Sequence, residues 1–119
     1  MQPNQNFYIN DTFEADSVVE NKTIKSKFFE KTLITGCLFS FVNFKQVVFK
    51  ECTFFADEIE NCEFENCQFL NCTFQFSCIE HCNFVETAFK NCLWESSKIK
   101  KMTVVDCLMS SEHLKMIAA

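Results

Sequence analysis

Apolar residues recur at every fifth position along most of this chain. From Val19 the series runs through Ile24, Phe29, Ile34, Phe39, Phe44, Phe49, Phe54, Ile59, Phe64, Phe69, Phe74, Ile79, Phe84, Phe89, Trp94, Ile99 and Val104 to Met109, and all 19 positions are apolar. With 48% of the residues apolar, an unbroken series of that length arises by chance on the order of once in a million. A second register, two residues earlier, holds small side chains: Thr32, Cys37, Val42, Val47, Cys52, Cys62, Cys67, Cys72, Ser77, Cys82, Thr87, Cys92, Ser97 and Cys107. In an α-helix every fifth residue wanders round the surface, and in a flat strand a step of five alternates faces. Neither element keeps both registers inside. A chain that turns a corner every five residues does, so the pattern predicts an all-β solenoid.

The recurring Cys-x-Phe-x-Asn unit, seen at Cys62–Asn66 and Cys67–Asn71, resembles the pentapeptide-repeat proteins. The resemblance covers residues 17–110 and implies a right-handed quadrilateral β-helix with four pentads per coil, nearly five coils in all. At a strand spacing of about 4.8 Å the rod would be roughly 23 Å long. Twenty-residue stacking then makes interior columns of Phe29, Phe49, Phe69, Phe89 and Met109; of Ile24, Phe44, Phe64, Phe84 and Val104; and of Ile34, Phe54, Phe74 and Trp94. The fourth column, Val19, Phe39, Ile59, Ile79 and Ile99, is mostly aliphatic.

Four positions break the small register: Lys22, Lys27, the carboxylate Asp57 and Met102. The two lysines suggest an irregular first coil. With one Gly and one Pro in the chain, the corners must use other residues, and Asn61, Asn66, Asn71, Asn91 and Gly36 recur where a tolerant backbone is needed. Residues 1–16 read as a cap over one open end, and residues 111–119, following Ser110, as a short C-terminal helix or cap.

Eight of the nine cysteines fall in the small register, which marks them as buried thiols acting as small hydrophobes. Five-residue steps do not match zinc or iron–sulfur spacings, and Cys78, His81 and Cys82 lack a fourth ligand. No metal or cofactor is expected. The chain has two His, no Arg, no glycine-rich phosphate loop and no nucleophile–base motif, so we expect a non-catalytic protein.

Charge is banded along the sequence. Residues 22–50 carry six Lys and one Glu, residues 51–86 carry eight acids and no Lys, and residues 90–101 carry four Lys and one Glu. The acids Glu51, Asp57, Glu58, Glu60, Glu63, Glu65, Glu80 and Glu86 form a candidate acidic belt. Phe28, Leu33, Leu38, Phe41 and Val48 fall in outward registers and form a candidate apolar interface, which a homodimer, a partner or the N-terminal segment with Phe7, Tyr8 and Phe13 would cover.

Some members of the family that the chain resembles imitate duplex DNA and bind DNA gyrase. The resemblance, with the belt, therefore implies a regulator or protector of gyrase or another DNA-processing enzyme. The alternative is a structural or adaptor module that binds a protein through the apolar residues. A further resemblance, to the luminal domain of synaptic-vesicle transporter-like glycoproteins, would make Asn10, Asn21 and Asn71 glycan acceptors. Direct nucleic-acid binding is not expected, because the lysines flank an acidic centre. No stretch reaches the roughly 18 apolar residues of a membrane helix, and no signal pattern is visible, so the expected location is cytoplasmic.

Overall fold

The computed structural model describes residues 13–109. They form a four-sided parallel β-solenoid in which every pairing links residues twenty apart. The strands Val18–Lys25 and Leu38–Lys45 run through the corner between the first and second sides. The first side continues with Glu58–Glu60, Cys78–Glu80 and Lys98–Lys100, and the second with Glu63–Glu65, Asn83–Val85 and Thr103–Val105. The third side stacks Phe28–Glu30, Val48–Lys50, Gln68–Leu70 and Ala88–Lys90. The fourth stacks Leu33–Thr35, Thr53–Phe55, Thr73–Gln75 and Leu93–Glu95. The expected C-terminal helix over 111–119, and the expected cap over 1–16 apart from its last four residues, lie outside the described residues.

Each three-residue strand sends its central side chain inward and its two neighbours outward, as pleating requires, except that Val104, expected inside, is exposed in the last strand. The central residues stack on their counterparts one coil away. Phe44, Phe64 and Phe84 have ring centroids 4.6 Å apart at each step, with interplanar angles of 3° and 5°. Phe54, Phe74 and Trp94 stack at 4.6 and 4.0 Å. Phe29, Phe49, Phe69 and Phe89 close from 5.3 to 4.9 to 4.6 Å along the rod. The fourth column, from Phe39 to Ile99, is buried and mainly aliphatic, as its sequence indicates. At the N-terminal end Phe13 meets Phe39 edge-on at 5.0 Å and Phe29 at 5.4 Å, so one aromatic ring covers two columns.

The corners explain how the chain turns with so little glycine. Every fifth residue from Asp16 to Asp106 has a positive φ, 18 of them non-glycine with φ between 48° and 61°. Only five of these are Asn; Lys31, Phe41, Glu51, Ala56, Phe76, His81 and Lys101 adopt the same left-handed backbone, at a cost of about 1 kcal/mol each. None of the 19 is β-branched, the class that left-handed backbone penalises most. Gly36 differs from its neighbours for a steric reason: a Cβ there would meet the Asp16 carboxylate. Each corner N–H reaches up to the next coil, as in Asn71 N–H to the Lys90 carbonyl at 2.8 Å. The residue two positions later reaches down, as in Thr73 N–H to the Cys52 carbonyl at 3.0 Å.

Candidate functional site

The small register does more than fill space. The backbone ladder leaves one buried group per pentad unserved, the N–H of the small residue, and gives the carbonyl of the central one a single partner. The small side chain of the next coil serves both. Ser77 Oγ donates to the Phe54 carbonyl at 3.1 Å and accepts the Asp57 N–H at 3.1 Å. Thr87 Oγ1 donates to the Phe64 carbonyl and accepts the Cys67 N–H, at 3.2 and 3.3 Å. Thiols do the same with softer geometry: Cys72 Sγ donates to the Phe49 carbonyl at 3.2 Å and accepts the Cys52 N–H. Six of the eight small-register cysteines are buried and Cys92 and Cys107 are half-buried; all of them are hydrogen-bonding groups as well as hydrophobes.

Thiols stacked one coil apart shift in opposite directions, Cys52 and Cys92 being lowered by the hydrogen bond from Cys72, and Cys62 by that from Cys82. Contacts with the Cys52 and Cys92 thiols, together with burial, push the Cys72 thiol up, and Cys62 with burial does the same for Cys82. Burial, then Glu80, raises Cys78, the one cysteine that points outward. Among the described residues no group of three or more His, Cys, Asp or Glu side chains is arranged to hold a metal ion. The hydrogen-bonding role makes a testable distinction. Cys72→Ser should keep both bonds and change stability by under about 1 kcal/mol, whereas Cys72→Ala should cost about 1–3 kcal/mol by leaving the buried Cys52 N–H without a partner. Urea unfolding midpoints of the two variants separate these outcomes.

Asp57 corrects the acidic belt. It occupies the small register between Cys37 and Ser77, is 1% exposed, and belongs to the interior rather than the surface. Oδ1 accepts the Cys37 N–H at 2.8 Å, while Oδ2 is buried without a hydrogen-bond partner. Desolvation raises its pKa to about 7, against the lowering effect of the Cys37 and Phe55 amides.

The remaining acids do not encircle the rod. Glu58, Glu60 and Glu80 lie on the first side and Glu63 and Glu65 on the second, so five carboxylates gather about the corner at Asn61. Glu51 and Glu86 sit at two other corners, and Glu51 lies 4.0 Å from Lys31. Among the described residues no lysine is within ion-pairing distance of the five; Glu80 has only His81, at 3.7 Å. Along the same two sides Lys25 and Lys45 lie toward the N-terminal end and Lys98, Lys100 and Lys101 toward the other. The banding seen in the sequence is therefore an acidic corner between basic ends. A window along the chain sums over four sides, which is why it reads as a belt.

The five apolar candidates likewise do not make one patch. Phe28 and Val48 are neighbours on the third side, Leu33 is on the fourth, Leu38 on the first, and Phe41 at the first corner. Phe28, Leu33 and Phe41 are exposed, but they point in different directions because the chain turns between them. Sequence reasoning missed Phe55 and Phe76, which meet edge-on at 5.6 Å on the outside of the rod. The signal was available: both depart from the polar residues usual at outward and corner positions.

No protein-family model matches the chain, and no curated protein does either. Among solved structures it is similar to a pentapeptide repeat protein, Rfr23, from the cyanobacterium Cyanothece 51142. The two are 8% identical with a TM-score of 0.38, over 81% of this chain and 90% of the other. Three features define the architecture: a left-handed corner at every fifth residue, an inward residue at the centre of each pentad, and parallel pairing at a spacing of twenty. The chain is a β-solenoid of stacked pentapeptide repeats.

Proposed function

We propose that this solenoid is a non-enzymatic binding module whose acidic corner engages the nucleic-acid-binding surface of a protein, DNA gyrase or another DNA-processing enzyme being the class of target. The observation that carries the reading is the gathering of Glu58, Glu60, Glu63, Glu65 and Glu80 on two adjacent sides, with no lysine in ion-pairing range among the described residues. Outward residues of one strand are spaced by about 6.6 Å, and strands by about 4.8 Å. That spacing sets fixed negative charges densely on a stiff surface, which attracts a cationic groove built for phosphates. The surface concavities are shallow and lined by the same side chains that make the strands, such as Glu58, Glu60, Cys78 and Glu80, which suits a docking surface better than a catalytic cleft.

Binding through that corner depends on unscreened charge. Gyrase retained by the immobilised protein at about 50 mM salt should be lost by about 300 mM, since the screening length shortens below 10 Å. The double reversal Glu58→Lys with Glu63→Lys should weaken capture at least tenfold, with inhibition or protection in a supercoiling assay falling in parallel. Capture indifferent to both salt and charge reversal would reject the acidic corner as the contact.

A further inference from the structure

The fourth side differs from the other three. Its eight outward positions are Leu33, Thr35, Thr53, Phe55, Thr73, Gln75, Leu93 and Glu95, a single charge at the far end. Phe76 and Ala56 stand at its corner with the first side. Leu33, Phe76 and Leu93 are each about 60% exposed, and Phe55 is 39% exposed. The side is a small, nearly uncharged β-surface on a chain of net charge −5, and large exposed apolar groups gathered on one surface mark contacts.

We propose that the fourth side is a self-association surface that takes a second copy of this chain, the two rods lying side by side and antiparallel. The order of residues along the rod is what selects a second copy. One outward column reads Leu33, Thr53, Thr73, Leu93, which is the same in both directions. Turning a copy about a twofold axis that lies in the contact plane, across the rod, sets Leu33 against Leu93 of the copy and Thr53 against Thr73. The same operation lays the protruding Phe76 over the small Ala56 of the copy, and it does so twice. Phe55 then meets the neutral Gln75, and Glu95, which accepts a hydrogen bond from Gln75 at 2.6 Å, falls beside Thr35 rather than beside its own counterpart. An isologous contact needs this kind of self-complementarity. The parallel arrangement lacks it, because it would bring the Leu–Thr column against the column holding Phe55 and Glu95.

Charge points the same way. The side opposite the fourth is the second, so a pair joined through the fourth sides keeps both acidic corners outside and apart, whereas a contact through the first or second sides would oppose carboxylates. The surface is also small: four strands about 4.8 Å apart and one pentad wide give about 250 Å² per partner. That lies well below the roughly 800 Å² per partner of a standard stable interface. The dimer is therefore weak, below the class of stable interfaces. Its value to a binding module is two acidic corners on one particle, which strengthens attachment to a target with two cationic sites.

Sedimentation equilibrium between 10 µM and 1 mM tests the proposal without any partner protein. The mass should rise from the 13.9 kDa monomer toward twice that value, as strongly in high salt as in low. Phe76→Asp should hold the chain monomeric up to 1 mM. It should do so without unfolding, since Asp accepts the left-handed corner better than Phe does; an unchanged unfolding midpoint verifies this. Phe41→Asp, an exposed corner Phe away from the fourth side, should leave dimerisation intact. Ala56→Trp, which fills the recess, should weaken it at least tenfold. A monomer throughout the range overturns the proposal, whether residues 1–12 cover the side or nothing does. So does self-association that survives Phe76→Asp, or that salt abolishes.

Discussion

Phe69→Ala should destabilise the protein by about 4 kcal/mol, within the 3–5 kcal/mol typical of a buried Phe truncated to Ala. The residue sits at the middle of the third side and is 1% exposed. Its ring is stacked between Phe49 at 4.9 Å and Phe89 at 4.6 Å, and it also meets Phe54, Phe64 and Phe74 at 6.1, 5.6 and 5.9 Å. Truncation removes five aromatic contacts and opens a cavity that the neighbours cannot close, because each is fixed to its own coil by backbone bonds on both sides. In a solenoid each coil touches only the next, so a defect in a central coil also weakens the coupling between the two halves. Total stabilities of about 5–15 kcal/mol make such a loss decisive. Urea titration measures it, with Phe28→Ala as the control: that ring is 58% exposed and should cost less than about 1 kcal/mol. Equal costs at the two positions would mean that the interior stack is not what holds the rod.

The architecture was legible because its two defining features are periodic in the sequence itself. A period of five fixes which residues face inward, and a period of twenty fixes which of them stack. The aliphatic column at Ile59, Ile79 and Ile99 could be read before any coordinates. A second signal went unread: no β-branched residue stands at any corner from Asp16 to Asp106. That absence marks the left-handed position more completely than the asparagines do, since Lys31, Phe41 and Glu51 occupy it as well.

Surfaces were harder to read, for a geometrical reason. Residues close in sequence turn through four sides within twenty positions, so Leu33, Leu38 and Phe41 look clustered and are not. Residues that share a side are twenty apart, as Leu33, Thr53, Thr73 and Leu93 are. The chemistry of the small register was obscured differently. Cysteine invites a hydrophobic reading, yet Cys, Ser, Thr and Asp alternate in that one register, and what they share is the ability to bond the backbone. Where Val42 and Val47 replace them the register is fully buried but offers no such group.

Asp57 is the place where the buried part of that register carries a charge, and it should make the protein less stable in alkali than in mild acid. In the unfolded chain the carboxyl has its ordinary value of 3.8, and in the fold desolvation raises it to about 7. The folded state therefore holds the proton more tightly. Below about pH 4 both states are protonated and the group makes no difference; between pH 4 and 7 stability falls as pH rises; above 7 the penalty is constant. A shift of that size corresponds to about 4 kcal/mol at 1.36 kcal/mol per unit. The physical source is Oδ2, which is buried without a partner, so ionisation places an excess charge where only Oδ1 is served, by the Cys37 N–H. Asp57→Ser should relieve this, because a hydroxyl at that position can accept the Cys37 N–H as Ser77 accepts the Asp57 N–H. The expected result is a variant more stable than the parent at pH 8 by 2 kcal/mol or more, nearly equal to it at pH 4, and with a flatter dependence between. Urea midpoints at pH 4, 6 and 8 for the two chains decide it. A parent whose stability rises from pH 4 to 8 by the same amount as the variant's would show that the carboxylate ionises in the fold without penalty. That would require solvent or another group to reach Oδ2, and the small register would then be less sealed at the Asp57 level than its 1% exposure indicates.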